Sequence, residues 1–342
     1  MKGLAIRLVV VIALLSACDF ALSRHAERSF PSVKKLAEAL AKGGDGLVFV
    51  GDSRAAHALD FGVVKERLKL GKVPYGIADL TLRGSSIRDE SLMTREFVRV
   101  WPNTRGVVLV FGMIRMLEEG ERQGQSSDPD KWIGSASVLY RLIRPSDLIL
   151  LYPEGPLLSA GYRFKYYLGH FSALYRYRAA LFARVNRLRA RLTHAGNNDE
   201  EFNEFGKVKV TAEINLRMYR EILRELKVYR RANDWQMNPW FENLRAELKR
   251  RKIPLHLVEL PVIEQERRTI SESAEGNAFR SWLRHEIELA GGHYLELRFA
   301  PGISDADFPD TMHMSAPAAA RFSKFFGDQL ADRLRSDIHA DP

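Results

Sequence analysis

Short apolar runs, each closed off by glycine or proline, set the strongest limit on what this chain can fold into. Leu47-Val48-Phe49-Val50 sits between Gly46 and Gly51. Val107-Val108-Leu109-Val110-Phe111 sits between Gly106 and Gly112, and Leu255-His256-Leu257-Val258-Glu259-Leu260 stops at Pro261. Runs this short and this continuously apolar read as strands buried on both faces. Tyr294-Leu295-Glu296-Leu297 and the weaker segment 75–82 complete a set of five. Between them lie helical stretches at 88–100 and at 239–251, the latter with proline near its start and basic residues at its end. Residues 316–334 read as a closing helix, and 24–45 as a polar helical lead-in broken by Gly43-Gly44. Strands that alternate with helices predict an α/β fold, a parallel sheet with helices on both faces. Ligands of such sheets sit beyond the carboxyl ends of the strands, so the residues just after each strand carry the functional question.

The 342 residues suffice for one large domain or two ordinary ones. Hydrophobic residues at 46% and charged residues at 28% match a soluble globular chain and exclude a disordered, collagen-like or multi-span membrane protein. The formal net charge of +9 is compatible with anionic partners without identifying one. Cys18 is the single cysteine, so neither an intrachain disulfide nor a cysteine-based zinc site can form.

The N-terminus reads as an export signal. Lys2 and Arg7 precede the aliphatic run Leu8-Val9-Val10-Val11-Ile12-Ala13-Leu14-Leu15. Two readings of it stand side by side. In one, Leu15-Ser16-Ala17-Cys18 is a lipobox and Cys18 is lipidated. In the other the segment is never cut, and the nineteen residues 4–22 approach the ~20 needed to span a bilayer. Both tether the remaining chain to a membrane in the cell envelope, facing the periplasm or exterior.

The expected organisation is therefore an anchor or signal at 1–23, a linker helix at 24–45, a main α/β domain at 46–335 and a tail at 336–342. Residues 113–238 break the strand–helix rhythm and read as a helical insertion. Within it, 162–191 is dense in arginine and tyrosine. Three readings stay open for that stretch: helices packed on the core with solvated arginines, a surface for anionic glycan or lipid headgroups, and a docking face for a membrane partner. Nucleic acid fits the charge but not the export signal.

Two motifs carry chemistry. Gly51-Asp52-Ser53 follows the first strand and opens a helix, which places the Ser53 hydroxyl at the carboxyl edge beside free backbone N–H groups. Taken alone the triplet is an ordinary helix cap. Asp310-Thr311-Met312-His313 falls just before the closing helix, and an aspartate three residues ahead of a histidine can orient its imidazole. His57 reads as a residue of the first helix's face.

With both motifs in place the sequence resembles the SGNH (GDSL-like) hydrolase superfamily: Phe49-Val50-Gly51-Asp52-Ser53 matches its first block and Asp310-Thr311-Met312-His313 its last. The resemblance covers about 46–112 and 253–335, and looks closest to the membrane-tethered branch of alginate O-acetylation proteins and the D-alanyl transfer protein of teichoic acid synthesis. It implies a three-layer α/β/α sandwich with a five-stranded parallel, flavodoxin-like sheet. It implies Ser53 as nucleophile, His313 as base, Asp310 as its orienting acid, and an oxyanion hole from the Ser53 and Gly84 N–H groups. Asp52 would support the turn rather than react, and Asp52 and Arg115 are the further candidates for contact with substrate. The third block departs from the family: Gly112-Met113-Ile114-Arg115 has Ile114 where an asparagine donor belongs. Losing one such donor costs about 3–4 kcal/mol of transition-state stabilisation, which Arg115 or a residue of the insertion would have to offset. The implied chemistry is ester hydrolysis or acyl transfer, with no metal or other cofactor. Its partners would be an envelope glycan, an acylated small-molecule donor and a membrane-bound O-acyltransferase. A catalytically silent glycan-binding or scaffold module of the same fold is the alternative.

Overall fold

The computed structural model describes residues 31–43, 46–73, 75–83, 85–112, 142–147 and 237–340, most of 10–24, and isolated residues within 167–175 and 219–235. The chain divides into two compact units, one of residues 1–37 and 126–206, the other of residues 38–125 and 207–342. In the first, Cys18 is exposed with a free thiol and the Ser172 hydroxyl donates to Asp19 at 2.8 Å. The anchor expected over 4–22 begins in residues that lie outside the described ones, as does almost all of the basic-aromatic stretch 162–191. Among the described residues no helix is long and apolar enough to cross a membrane.

The second unit holds the sheet. Its strands are β1 (Leu47–Gly51), β2 (Ile77–Thr81), β3 (Gly106–Phe111), β4 (Leu255–Glu259) and β5 (His293–Glu296), in the order β2-β1-β3-β4-β5 with every pair parallel. This is the flavodoxin-like order, whose switch point lies between β1 and β3. Helix α1 (Pro31–Lys42) begins in the first unit and ends in the second; the other helices of the second unit are α2 (Ser53–Ala58), α3 (Phe61–Leu70), α4 (Ile87–Val100), α5 (Pro239–Arg250), α6 (Ala274–Leu289) and α7 (Ala316–Ala340). A three-residue turn, Glu264–Glu266, runs into a π-helical turn at Arg267–Ser271.

Strand periodicity sends alternate side chains to opposite faces. Phe49, Val108, Val110 and Val258 meet Val64, Leu68, Phe322 and Phe326 of α3 and α7 in one continuous buried cluster. Phe49 and Phe326 lie edge to face with centroids 6.0 Å apart. Val48, Val50, Val107 and Leu109 point the other way and are equally buried. Helices α4 and α5 pack on each other, joined by the Ser91 hydroxyl donating to the Trp240 carbonyl at 3.0 Å. The result is an α/β protein with a five-stranded parallel sheet flanked by helices, as the alternation of apolar runs and helical segments predicts.

Side-chain caps start the helices where the backbone leaves its N–H groups unpaired. Asp52 caps α2, Asp60 caps α3, and Asn238 caps α5 ahead of Pro239. Ser86 and Asp89 form a reciprocal capping box on α4. The closing helix continues to Ala340, six positions past the expected 334, and α3 and α6 correspond to no expected element.

Candidate active site

The site begins where β1 meets α2. At Gly51 an added Cβ would come 2.5 Å from the Ala55 Cβ and 2.7 Å from the Val110 carbonyl oxygen. Only glycine lets the chain pass this close to β3 and turn at once into a helix. Asp52 is extended, and its carboxylate accepts from the Arg54 N–H at 2.9 Å and the Ala55 N–H at 3.3 Å. A carboxylate there complements the positive end of the helix. Its role is that of a cap, in keeping with the supporting part the sequence suggests. Ser53 is left as the first helical residue, and among the described residues no acceptor takes its N–H.

Ser53 Oγ lies 2.9 Å from His313 Nε2, and His313 Nδ1 lies 2.6 Å from Asp310 Oδ2. Residues 260 positions apart thus meet at the carboxyl edge of the sheet. The other carboxyl oxygen of Asp310 accepts from the N–H groups of Met312 at 3.1 Å and His313 at 2.8 Å. Partial burial of Asp310 opposes ionisation, but the hydrogen bonds from the His313 ring and from these two N–H groups outweigh it and hold the carboxyl below its ordinary range. An ionised Asp310 places the ring proton on Nδ1 and leaves the Nε2 lone pair facing the Ser53 hydroxyl; this tautomer is assigned from the bonding pattern. Between the two, Thr311 has φ of +65°. A β-branched residue in the left-handed region costs on the order of 1–3 kcal/mol, and here it curls the loop so that Asp310 faces the ring.

Two further groups crowd this centre. The His57 ring lies 4.6 Å from the His313 ring, centroid to centroid, inclined by 45°. Arg54, next to Ser53, turns inward. Its guanidinium forms a buried ion pair with Glu266 at 3.1 Å, and the Tyr219 hydroxyl donates to the other Glu266 oxygen at 3.1 Å. Burial pulls the Arg54 pKa down, yet Glu266, Asp52 and Tyr219 together raise it above its ordinary value. Burial likewise pushes the Tyr219 hydroxyl up, with the Glu266 charge adding to it. The same guanidinium fills the space at Gly112, where an added Cβ would come 2.6 Å from Arg54 Nη1. Sequence reasoning missed this network, since neither Arg54 nor Glu266 belongs to a recognisable spacing.

Gly84, Ile114 and Arg115 lie outside the described residues. On either side of Gly84, Leu82 donates its N–H to the Gly51 carbonyl at 2.8 Å, and the Ser85 hydroxyl bonds to the Leu82 carbonyl at 2.8 Å and to Glu90 at 2.9 Å. Among the described residues no group of three or more His, Cys, Asp or Glu side chains is placed to hold a metal ion. A hydroxyl, an imidazole and a carboxylate in one hydrogen-bonded line, as in Ser53, His313 and Asp310, form an arrangement suited to proton transfer and nucleophilic attack.

Compared with protein-family models and with curated protein sequences, the chain matches none of them.

Proposed function

We propose that this chain is an exported, membrane-tethered serine esterase or O-acyltransferase of the SGNH type. It acts through an acyl-enzyme on a cell-envelope polysaccharide or lipid-linked glycan. The observation that carries the reading is the unbroken line Ser53 Oγ, His313 Nε2, His313 Nδ1, Asp310 Oδ2, with contacts of 2.9 and 2.6 Å. His313 takes the proton as Ser53 Oγ attacks an ester carbonyl. Asp310 stabilises the imidazolium, and the Ser53 N–H, with Gly84 as second donor, meets the oxyanion. The alcohol leaves with the proton from His313. Water or a sugar hydroxyl then attacks the acyl-serine, giving hydrolysis or transfer. The export signal supports an envelope location, with Cys18 lipidation or an uncleaved anchor as the tether, and a membrane-bound O-acyltransferase as the donor-side partner.

The second reading, a silent glycan-binding or scaffold module, is favoured by Ile114 at the third-block position. One experiment separates the two. Full-length protein in detergent is incubated with p-nitrophenyl acetate, quenched in acid and digested. An acetyl group on the Ser53 peptide, lost in His313→Ala, supports the enzyme; a Ser53 peptide that stays unmodified over many equivalents of ester supports the silent module.

A further inference from the structure

Beyond the carboxyl ends of β4 and β5 lies a cleft of about 610 Å³. One wall is the segment after β4, where Pro261 and Val262 lead to Glu264; the other is the loop after β5, from Arg298 to Phe308. The Glu264 N–H donates to Asp305 Oδ1 at 2.7 Å and ties the two walls together. Phe308 lines the cleft two residues before Asp310, so this cleft and the Ser53 site share one loop.

The surface of the cleft is unusual in three respects. Phe299 is 52% exposed, a large apolar ring left open to solvent in the cleft wall. Two guanidinium groups attend its ring, Arg298 at 4.4 Å and Arg267 at 5.5 Å from the centroid. Arg298 is fixed from behind by Glu296 at 2.7 Å and by the Ser271 carbonyl at 2.8 Å. Arg267 is held only loosely, with Glu272 at 3.6 Å. Arg267 also opens the π-helical turn, closed by the Glu272 N–H on the Arg267 carbonyl at 2.8 Å. Single π turns are rare and are frequently found at functional sites.

This lining suits a ring with an apolar face and a hydroxyl-bearing edge. The exposed half of the Phe299 ring, outside the part that the two guanidiniums cover, offers apolar surface to pack against. Arg267, Asp305 and Glu264 supply donors and acceptors around it. Arg267 and Arg298 stand against Glu264 and Asp305 in the lining, with Glu264 itself paired to Arg268, so no single sign of charge prevails and a neutral ligand fits better than a polyanion. We propose that the cleft is a subsite for a neutral pyranose, with the sugar face on Phe299 and its hydroxyls on Arg267 and Asp305. That this sugar belongs to the acyl acceptor or acylated substrate rests on the hydrolase or acyltransferase reading; that the cleft binds a sugar does not.

The test is calorimetric titration of the full chain in detergent with cellohexaose, chitohexaose, mannohexaose and hexagalacturonate. At least one neutral oligosaccharide is expected to bind wild type and Ser53→Ala alike. Phe299→Ala should weaken it by at least about tenfold, Arg267→Ala by a smaller factor, and Phe299→Trp should retain it. Phe299 is half-exposed, so its truncation leaves the fold intact, checked by circular dichroism. Failure of all three neutral sugars to bind overturns the proposal, as does binding that Phe299→Ala leaves unchanged. Binding of hexagalacturonate alone, abolished by salt, overturns it too, because that is charge attraction without a stacking site. If Phe299→Ala instead shifts the preferred chain length among p-nitrophenyl esters, the cleft holds the acyl group and the proposal falls. Fluorophosphonate labelling of Ser53 in the same preparations separates the two claims. Labelling without sugar binding sinks only the subsite, and sugar binding without labelling sinks only the enzyme reading.

Discussion

Arg54 and Glu266, 212 positions apart, form a buried ion pair beside Ser53. The side chains are 9% and 2% exposed, so neither charge has water to fall back on. The pair joins the start of α2 to the segment after β4, and its guanidinium occupies the space that Gly112 leaves open at the end of β3. Removing one partner leaves an uncompensated charge in the interior, which costs about 3–5 kcal/mol, whereas replacing both by apolar groups is often close to neutral. Arg54→Met and Glu266→Met should each lower stability by that amount in urea denaturation, and the double variant should recover most of it. Single variants that each cost under about 1 kcal/mol would show that the charges are not coupled.

Asp310 should matter for rate more than for stability. Its carboxylate accepts from the His313 ring on one oxygen and from two backbone N–H groups on the other. Asparagine in its place keeps the backbone contacts but offers N–H to the ring, which favours the tautomer with the proton on the wrong nitrogen. Asp310→Asn is expected to fold as wild type and to slow Ser53 acylation by a factor on the order of 10⁴. Stopped-flow or quench measurement of acylation checks this; a slowing of less than about tenfold would remove Asp310 from the mechanism.

His256 gives the fold an acid-sensitive limb. It is fully buried in β4, and among the described residues neither ring nitrogen has a hydrogen-bond partner. Burial, with the neighbouring His293 and Arg333 adding to it, pushes its pKa down to about 3. The unfolded chain binds the proton near 6.5, so between those values the unfolded state carries one more proton than the folded state. Stability from this residue is complete above that window and falls by about 1.4 kcal/mol per pH unit as pH drops through it. The depressed Asp310 carboxyl adds loss in the same direction, but only below the ordinary carboxylate range. His256→Leu should flatten stability against pH between about 6 and 4, measured by urea midpoints at each pH. An unchanged slope would mean that His256 is solvated or partnered in solution.

Gly51 marks the tightest approach in the site. Gly51→Ala places a methyl group against the Ala55 side chain and the Val110 carbonyl oxygen, both within 2.7 Å. The carbonyl belongs to a central strand and cannot yield, so the substitution should cost about 1–3 kcal/mol and shift Ser53 away from His313. Thermal unfolding and acylation rate are expected to drop together. A fully active Gly51→Ala protein would contradict the packing described.

Strands β1 and β3 were legible because their runs of Val, Leu and Phe leave no polar face, and only a two-sided burial satisfies that pattern. All five strands match their expected segments to within two residues. The helices α3 and α6 were not legible. Their buried stripes are thin, Val64 and Leu68 in one and Phe279, Leu283 and Ile287 in the other, and α6 carries a buried arginine, Arg280. That arginine is tolerated because Glu259 at the end of β4 meets it at 2.8 and 3.0 Å, a long-range pairing no local window contains. The same reason hid the Arg54–Glu266–Tyr219 network. Ser53, Asp310 and His313 could be picked out because each stands at the border of an element, where chain direction alone brings them to one edge of the sheet. The π-helical turn at Arg267–Ser271 has no sequence period to betray it.

Intact-mass labelling with a fluorophosphonate tests most directly the proposal that Ser53 is an activated nucleophile. The full chain in detergent should take up a single adduct on Ser53, and Ser53→Ala and His313→Ala should take up none. A correctly folded wild type that remains unmodified, or an adduct that survives in His313→Ala, would contradict it.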